Sequence, residues 1–245
     1  MEPLINLRNV TKRYEASTEP ALTGVDLDVA PGQITAVMGP SGCGKSTLLN
    51  LVGGLDRPSS GEVTVSGVRV DKLSETQAAR FRRTSVGFVF QFFHLLEDLT
   101  VRENISVAAL LAGRSRSEAD AAADEMLGQL GLAGHRSKFP ATLSGGERQR
   151  LAIARAVVNK PAVLLADEPT GALDRHNGDV ALALLQDLNR RGQTILLVTH
   201  DERLASQVAH RTIRLLDGAI VADEAAQPSQ STQSAPSAPS DRMVA

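Results

Sequence analysis

The octapeptide Gly39-Pro40-Ser41-Gly42-Cys43-Gly44-Lys45-Ser46 constrains what this chain can become more than any other segment. A short apolar run, Ile34 to Met38, leads into it, and Leu48, Leu49, Val52 and Leu55 follow at spacings that suit a helix. Strand, glycine loop and helix together let backbone N–H groups curl around phosphate oxygens while the helix N-terminus adds positive potential. In that arrangement Lys45 bridges the outer phosphates, Ser46 can ligate Mg²⁺, and the next residue, Thr47, joins the candidate nucleotide contacts. Read in isolation, the same residues also describe a glycine-rich turn capping a helix. Cys43 has two readings of its own: a redox-sensitive thiol, since helix N-termini depress thiol pKa values, or a small residue whose side chain is incidental.

The surrounding pattern fits an α/β fold. Ala162 to Ala166 and Thr194 to Val198 are further strand-length apolar runs, and Val180, Leu184 and Leu188 lie four apart between them on a predicted helix. Buried strands alternating with amphipathic helices imply a parallel sheet. Before and after the glycine loop, Val25-Asp26-Leu27-Asp28-Val29 and Glu62-Val63-Thr64-Val65 alternate in polarity and read as half-exposed antiparallel strands beside the main sheet. From about Leu99 to Val158 the pattern is helical, with Ala119, Ala122, Met126 and Leu130 predicted on one apolar face.

Composition narrows the classes. The chain has 245 residues, 42% of them hydrophobic, enough for one globular domain with a substantial core. Its 26 basic residues against 28 acidic ones leave no excess to neutralise nucleic-acid phosphates, so no nucleic-acid partner is expected. A single cysteine excludes an intramolecular disulfide and any multi-cysteine metal site, in keeping with a reducing compartment. The first residues lack the basic-then-apolar layout of a signal peptide, and no apolar run approaches the roughly 18 residues of a spanning helix, so membrane contact is expected only through a partner. There is no internal repeat. From Ala225 to Ala245, Pro228, Pro236 and Pro239 stand among five serines, and this stretch reads as a disordered tail.

Two acidic residues end the second apolar run. In Val163-Leu164-Leu165-Ala166-Asp167-Glu168-Pro169 they fall at the C-terminal edge of a buried strand, where ligands of open α/β sheets bind. Asp167 is placed to hold Mg²⁺ directly or through water, and Glu168, pointing elsewhere, to polarise a water that attacks the γ-phosphate. An Asp-Glu-Pro turn that merely ends a strand is the plainer alternative. The run Thr194 to Val198 closes in Thr199-His200-Asp201, which puts His200 at the same edge with donor capacity toward a γ-phosphate.

Leu143-Ser144-Gly145-Gly146-Glu147-Arg148-Gln149-Arg150, followed by Leu151-Ala152-Ile153-Ala154-Arg155-Ala156, begins a second helix with a serine and two glycines. That is a second phosphate-receptive helix N-terminus, or simply a serine-capped helix. The segment resembles the signature motif of ABC ATPases, and the resemblance extends over about residues 4 to 223. It implies a P-loop NTPase fold of the ABC ATPase kind: a RecA-like parallel-sheet core, an N-terminal antiparallel β region and a helical subdomain at about 92–160, all within residues 1–224, followed by the tail 225–245.

The resemblance further implies a head-to-tail pair of copies in which Ser144, Gly145, Gly146 and Glu147 of one cover the ATP held by the glycine loop of the other. Tyr14 looks like the aromatic residue that stacks on adenine, or is a turn tyrosine on the β region. Gln91 looks like the glutamine that contacts Mg²⁺ or the attacking water and senses a transmembrane partner, or is a solvent-facing loop residue. Asp174 is similar to the aspartate that communicates across the dimer, or caps the following helix. Gln33 and Glu147 depart from common family forms, glutamate and glutamine respectively, without removing a phosphate or metal ligand.

Gly53-Gly54-Leu55-Asp56-Arg57-Pro58, Phe92-Phe93-His94-Leu95-Leu96 and the glutamate in the signature resemble the branch of lipoprotein-release, macrolide-export and cell-division-type ATPases. His94 is also readable as only a partner-facing surface residue. The expected function, by this resemblance, is an ATP-hydrolysing subunit at the cytoplasmic face of a membrane, coupled to a separate permease in export or release from the membrane. An envelope-regulating ATP switch without cargo and a soluble ABC ATPase of cofactor assembly or nucleic-acid repair are the alternatives, the repair class being disfavoured by the absence of long coiled-coil insertions.

Overall fold

The computed structural model describes residues 2–15 and 18–225. Its strands are β1 (Ile5–Lys12), β2 (Leu22–Val29), β3 (Ile34–Met38), β4 (Ser60–Val65), β5 (Val68–Arg69), β6 (Val86–Phe90), β7 (Val163–Asp167), β8 (Thr194–Val198), β9 (Arg211–Leu216) and β10 (Ala219–Ala225). The α-helices are α1 (Lys45–Val52), α2 (Glu75–Ser85), α3 (Val101–Leu111), α4 (Arg116–Gln129), α5 (Gly145–Val157), α6 (Arg175–Arg190) and α7 (Glu202–Val208).

Two sheets form. An antiparallel one has the order β2-β1-β4-β5, with Ile5 opposite both Val29 and Val65. The larger has the order β10-β9-β3-β8-β7-β6; its strands from β9 to β6 are parallel and its β10 edge is antiparallel. The β9–β10 hairpin is absent from the sequence reading because Ala219–Ala225 buries no residue fully and carries little apolar alternation.

Apolar residues alternate between the faces of the large sheet, as a period of two requires. Val37, Leu165, Leu196, Val198 and Ile213 pack toward α1 and the antiparallel sheet. Ala36, Leu164, Ala166, Ile195 and Leu197 share the opposite cluster with residues of α5, α6 and α7. Covered on both faces, β3 and β8 are buried at every residue, which explains why they are almost wholly apolar, with Thr35 and Thr194 the buried polar exceptions.

Three local expectations shift. Leu55 lies beyond α1, which stops at Val52 with Gly53 as its C-cap, and is 48% exposed. On α6 the buried side is Gly178, Ala181, Leu182 and Leu185, whereas Leu184 and Leu188 only flank it. Four-residue steps drift around a 3.6-residue helix, so the buried stripe is rotated from the one picked by that spacing. On α4 the buried row is Ala119, Ala123 and Leu127, one residue on from the predicted Ala122 and Met126, which with Leu130 are only partly covered because the neighbouring helices pack on the adjacent stripe.

Between β6 and β7 the chain builds a third cluster from α3, α4 and α5, including Val101, Ile105, Ala123, Leu127, Leu151 and Ala154. Helix α5 is apolar on two sides: Leu151 and Ala154 enter this cluster, while Ile153 and Val157 enter the one beneath the large sheet. The tail expected over 225–245 lies outside the described residues except for Ala225, which ends β10. Among the described residues no helix is long and apolar enough to cross a membrane.

Asn104 of α3 is fully buried and organises the loop that precedes its helix. Its Nδ2 donates to the carbonyls of Leu96 (2.9 Å) and Leu99 (3.0 Å), and its Oδ1 accepts from Leu96 N–H at 2.8 Å. Replacing it with alanine strands these backbone groups. Asn104→Ala is expected to lower stability by about 2–4 kcal/mol, measured as a shift in the urea unfolding midpoint at unchanged slope.

Candidate functional site

The large sheet sets its functional residues in a row. Phe90 pairs with Asp167, Asp167 with Val198, and Val198 with Val37, so the four parallel strands end level. The next residues along each strand, Gln91, Glu168, Thr199 and the approach to Gly39, therefore leave the sheet at one edge.

At this edge Gly39 to Gly44 turn the chain from β3 into α1. Gly39 has φ +152°, and a Cβ there would lie 2.1 Å from Leu215 O and 2.7 Å from Cys43 Sγ, so only glycine fits. Pro40, Ser41 and Gly42 form the exposed rim, while Cys43 is 4% exposed and packs into the core. Its burial favours the reading of Cys43 as a packing residue. Helix α1 is capped by Gly44 in a left-handed conformation with no side-chain hydrogen bond, whereas every other α-helix of the described residues has a serine, threonine or aspartate cap. A helix start free of a competing side chain is suited to an anion. Lys45 Nζ folds back to donate to the carbonyls of Gly39 and Pro40, both at 2.8 Å, and Thr47 is half-buried in the first turn.

Ser46 Oγ donates to Asp167 Oδ2 at 3.0 Å, joining α1 to the end of β7. Burial pushes the Asp167 carboxyl upward, the neighbouring Glu168 charge adds to this, and the Ser46 hydrogen bond and the Lys45 charge oppose it. A carboxylate held in this way gains from a nearby cation. Hydroxyl and carboxylate oxygens are the donors that Mg²⁺ takes, yet two are far fewer than its six positions. No cluster of three or more His, Cys, Asp or Glu able to hold a metal exists among the described residues. The pair fits a cation that arrives with phosphate oxygens of its own.

Glu168 has φ +48°, a left-handed backbone that is uncommon for a side chain of this size. Its N–H donates to Val198 O at 2.9 Å, and its carboxylate is shared: Oε2 accepts from Thr199 Oγ1 at 3.3 Å, and Oε1 lies 2.7 Å from His200 Nδ1. The acceptor-only carboxylate puts the proton of that contact on Nδ1. Gln91 stands beside the same turn, its Nε2 2.9 Å from where a Cβ on Gly171 would lie. Strain at a residue with these partners is typical of functional turns.

A second group gathers at the start of α5. Ser144 caps the helix by accepting from Glu147 N–H at 3.3 Å, and Glu147 Oε2 accepts from Ser144 N–H and Oγ–H, each at 2.8 Å. The Ser144 backbone and hydroxyl donors hold the Glu147 carboxyl below its ordinary range, and His135 Nε2 lies 3.2 Å from its other oxygen. Asp174 caps α6, accepting from Asn177 N–H at 2.9 Å and Nδ2 at 2.7 Å, and the Asn177 backbone donor lowers its pKa. The two helix starts meet through Asn177: a Cβ on Gly146 would lie 2.0 Å from Asn177 Oδ1, while one on Gly145 would be 3.4 Å from Leu173 Cδ2.

No hydrogen bond or ion pair connects this second group to the glycine loop among the described residues. Tyr14 stands apart from both. Its hydroxyl donates to Asp56 at 3.0 Å, and Lys12 Nζ sits 4.8 Å from its ring centroid. Gln33 Oε1 accepts from Ala30 N–H at 3.4 Å and Thr35 Oγ–H at 3.3 Å, local contacts that a glutamate oxygen could accept as well. Sequence reasoning passes over Thr199 and Asn177. The second had a signal, an amide three residues after a capping aspartate; the first was hidden as the last residue before a conspicuous histidine.

This architecture is shared with known proteins. A model of the ABC transporter family matches residues 22–171. A lipoprotein-releasing system ATP-binding protein of Geobacter metallireducens is 48% identical over 226 residues, covering 91% of this chain and 100% of that protein. A macrolide export ATP-binding/permease protein of Marinobacter nauticus is 46% identical over 227 residues, covering 92% of this chain and 35% of the relative. The chain thus spans about a third of the length of the macrolide-export relatives it matches. Among solved structures, a dimeric bacterial ABC transporter cassette superposes with a TM-score of 0.83 at 40% identity, covering 91% of this chain and 99% of that one. A dimeric cassette in a post-hydrolysis state bound to ADP and phosphate gives 0.83 at 38% identity, with the same coverage. The fold is that of an ABC ATPase cassette, and the chain belongs to the ABC transporter family.

The contact between Gly146 and Asn177 separates two neighbouring glycines. Gly146→Ala must displace a short side chain already tied to Asp174, and it is expected to destabilise by about 1–3 kcal/mol. Gly145→Ala has ordinary contact room and is expected to be neutral or slightly stabilising. Thermal unfolding of the two variants checks this, and equal midpoints would refute the packing account.

Proposed function

We propose that this chain is the ATP-binding and ATP-hydrolysing subunit of an ABC transporter, paired head to tail with a second copy and driving a separate permease in export or release from a membrane. The observation that carries the reading is the single sheet edge at which an uncapped helix start, the Ser46–Asp167 pair and the Glu168–His200 pair stand together. In this reading the chain works at the cytoplasmic face of the membrane, and the permease alone contacts the bilayer.

Gly39 to Thr47 hold the triphosphate, and Lys45 exchanges its two carbonyl partners for the outer phosphates. Ser46 and Asp167, with Gln91, would hold Mg²⁺, whose charge would offset that of the outer phosphates. Glu168 accepts the proton of the attacking water, and His200 turns its exposed ring toward the γ-phosphate. Tyr14 offers adenine the ring face opposite Lys12. Ser144, Gly145, Gly146 and Glu147 receive the γ-phosphate bound by the partner copy, and Asp174, linked to them through Asn177, belongs to the same dimer-facing surface. Only ATP spans both copies, so it favours the closed pair over the open one.

Residues of about 92–160 act as the helical subdomain that passes this motion on, supported by their own hydrophobic cluster. A groove of about 260 Å³ lies where this region meets β6, lined by Arg82, Arg83, Phe88, Leu111, Arg155 and Asn159. Among the described residues the three arginines reach backbone carbonyls and no carboxylate, and Phe92, two residues beyond the groove-lining Phe90, is 70% exposed, features that favour a docked partner.

Glu168→Gln tests the chemical reading. Turnover of Mg-ATP is expected to fall roughly 10²- to 10⁴-fold while ATP converts the purified chain into a stable dimer, followed by light scattering. Undiminished turnover would remove Glu168 as the base. Coupling is tested by co-expression with a candidate permease encoded beside this chain's gene: a permease that co-purifies and changes the ATPase rate is expected, and an unchanged rate with no association would overturn the transport reading.

A further inference from the structure

We infer that Thr199 is a positioning residue for hydrolysis: its buried hydroxyl holds the Glu168 carboxylate in place while His200 is left free to turn toward the nucleotide. The inference rests on the reading of Glu168 as the base.

The two partners of that carboxylate differ in kind. His200 contacts Oε1 at 2.7 Å, but its side chain is 74% exposed and lies on the open edge of the sheet. Thr199 contacts Oε2 at 3.3 Å and is 1% exposed. A β-branched side chain is stiff at χ1, and the Thr199 N–H and hydroxyl are both committed. Its N–H donates to Val37 O at 3.2 Å, on the strand that leads into the glycine loop. Its Oγ1 accepts from Asp201 N–H at 3.1 Å at the start of α7. A hydroxyl has one proton, and with the Asp201 N–H occupying a lone pair the proton is directed to Glu168.

Thr199 therefore ties together β3, the end of β8 and the turn after β7 at one buried atom cluster. The adjoining backbone needs such a tie. Glu168 is held at φ +48° with its N–H on Val198 O, the residue just before Thr199. Without a fixed acceptor geometry, a glutamate with three side-chain torsions samples several rotamers, and a misplacement near 1 Å is enough to reduce a rate about 10²-fold. When His200 rotates to a γ-phosphate, Thr199 is the partner that remains.

Three variants distinguish the possibilities, each assayed for kcat and KM of Mg-ATP hydrolysis and for ATP-driven dimerisation. Thr199→Val keeps the shape and removes the hydroxyl; kcat is expected to fall roughly 10- to 100-fold with KM within about twofold and dimerisation intact. Thr199→Ser restores the hydroxyl and is expected to recover kcat to within about threefold of the parent. Glu168→Gln reports on the underlying reading. If Glu168→Gln lowers turnover by the expected factor but Thr199→Val leaves kcat within about threefold of the parent, the positioning role is wrong while the base stands. If Glu168→Gln leaves turnover intact, the base and the inference fall together. Loss of ATP-driven dimerisation in Thr199→Val, or no recovery in Thr199→Ser, assigns Thr199 a structural role and overturns the inference.

Discussion

The parallel register of β6, β7, β8 and β3 is the constraint on which the rest of the molecule depends. Because Phe90, Asp167, Val198 and Val37 lie abreast, four segments far apart in sequence deliver their next residues to one edge. A one-residue slip of any strand would exchange the side chains it sends to the two apolar clusters and carry its site residue out of line with its neighbours at the edge. Two-sided burial prevents that slip. The covering layers exist to give each strand face an apolar partner, and the site is the place where that cover stops.

Helix α5 performs the corresponding service for the second group of residues. It contributes Ile153 and Val157 to the cluster under the large sheet and Leu151 and Ala154 to the helical cluster, so neither cluster is complete without it. Its N-terminus is consequently rigid, and the Ser144–Glu147 capping box fixes its first turn. Asn177 then couples that turn to the cap of α6, whose preceding loop descends from Glu168. The starts of α5 and α6 are braced against one another, and the turn after β7 connects them covalently with the edge of the large sheet.

Electrostatics separates the two groups further. At the glycine loop, Lys45 and an uncapped helix start oppose a buried carboxyl whose proton affinity is raised, a balance that added phosphate and cation would complete. At α5 the carboxylate of Glu147 is satisfied locally and its pKa is lowered. The first is a site prepared for charge from outside, and the second is a folded cap with an exposed serine.

Much of this was legible in the residues. The glycine octapeptide between an apolar run and a helical spacing, the Asp-Glu-Pro strand end and the serine-glycine helix start each rest on local chemistry, and local chemistry is written in neighbouring residues. Edges of elements were less legible: Leu55 left its helix, and the buried rows of α4 and α6 were rotated, because which side of a helix is covered depends on what packs against it. The strand–loop–helix unit around Gly39 to Gly44 and the alternating α/β order were readable from the residues alone. Only the tertiary structure decided that Thr199 holds Glu168, that Asn177 links Gly146 to Asp174, and that β10 closes the sheet edge. Those contacts join residues brought close by strand register and helix packing, which no local pattern encodes.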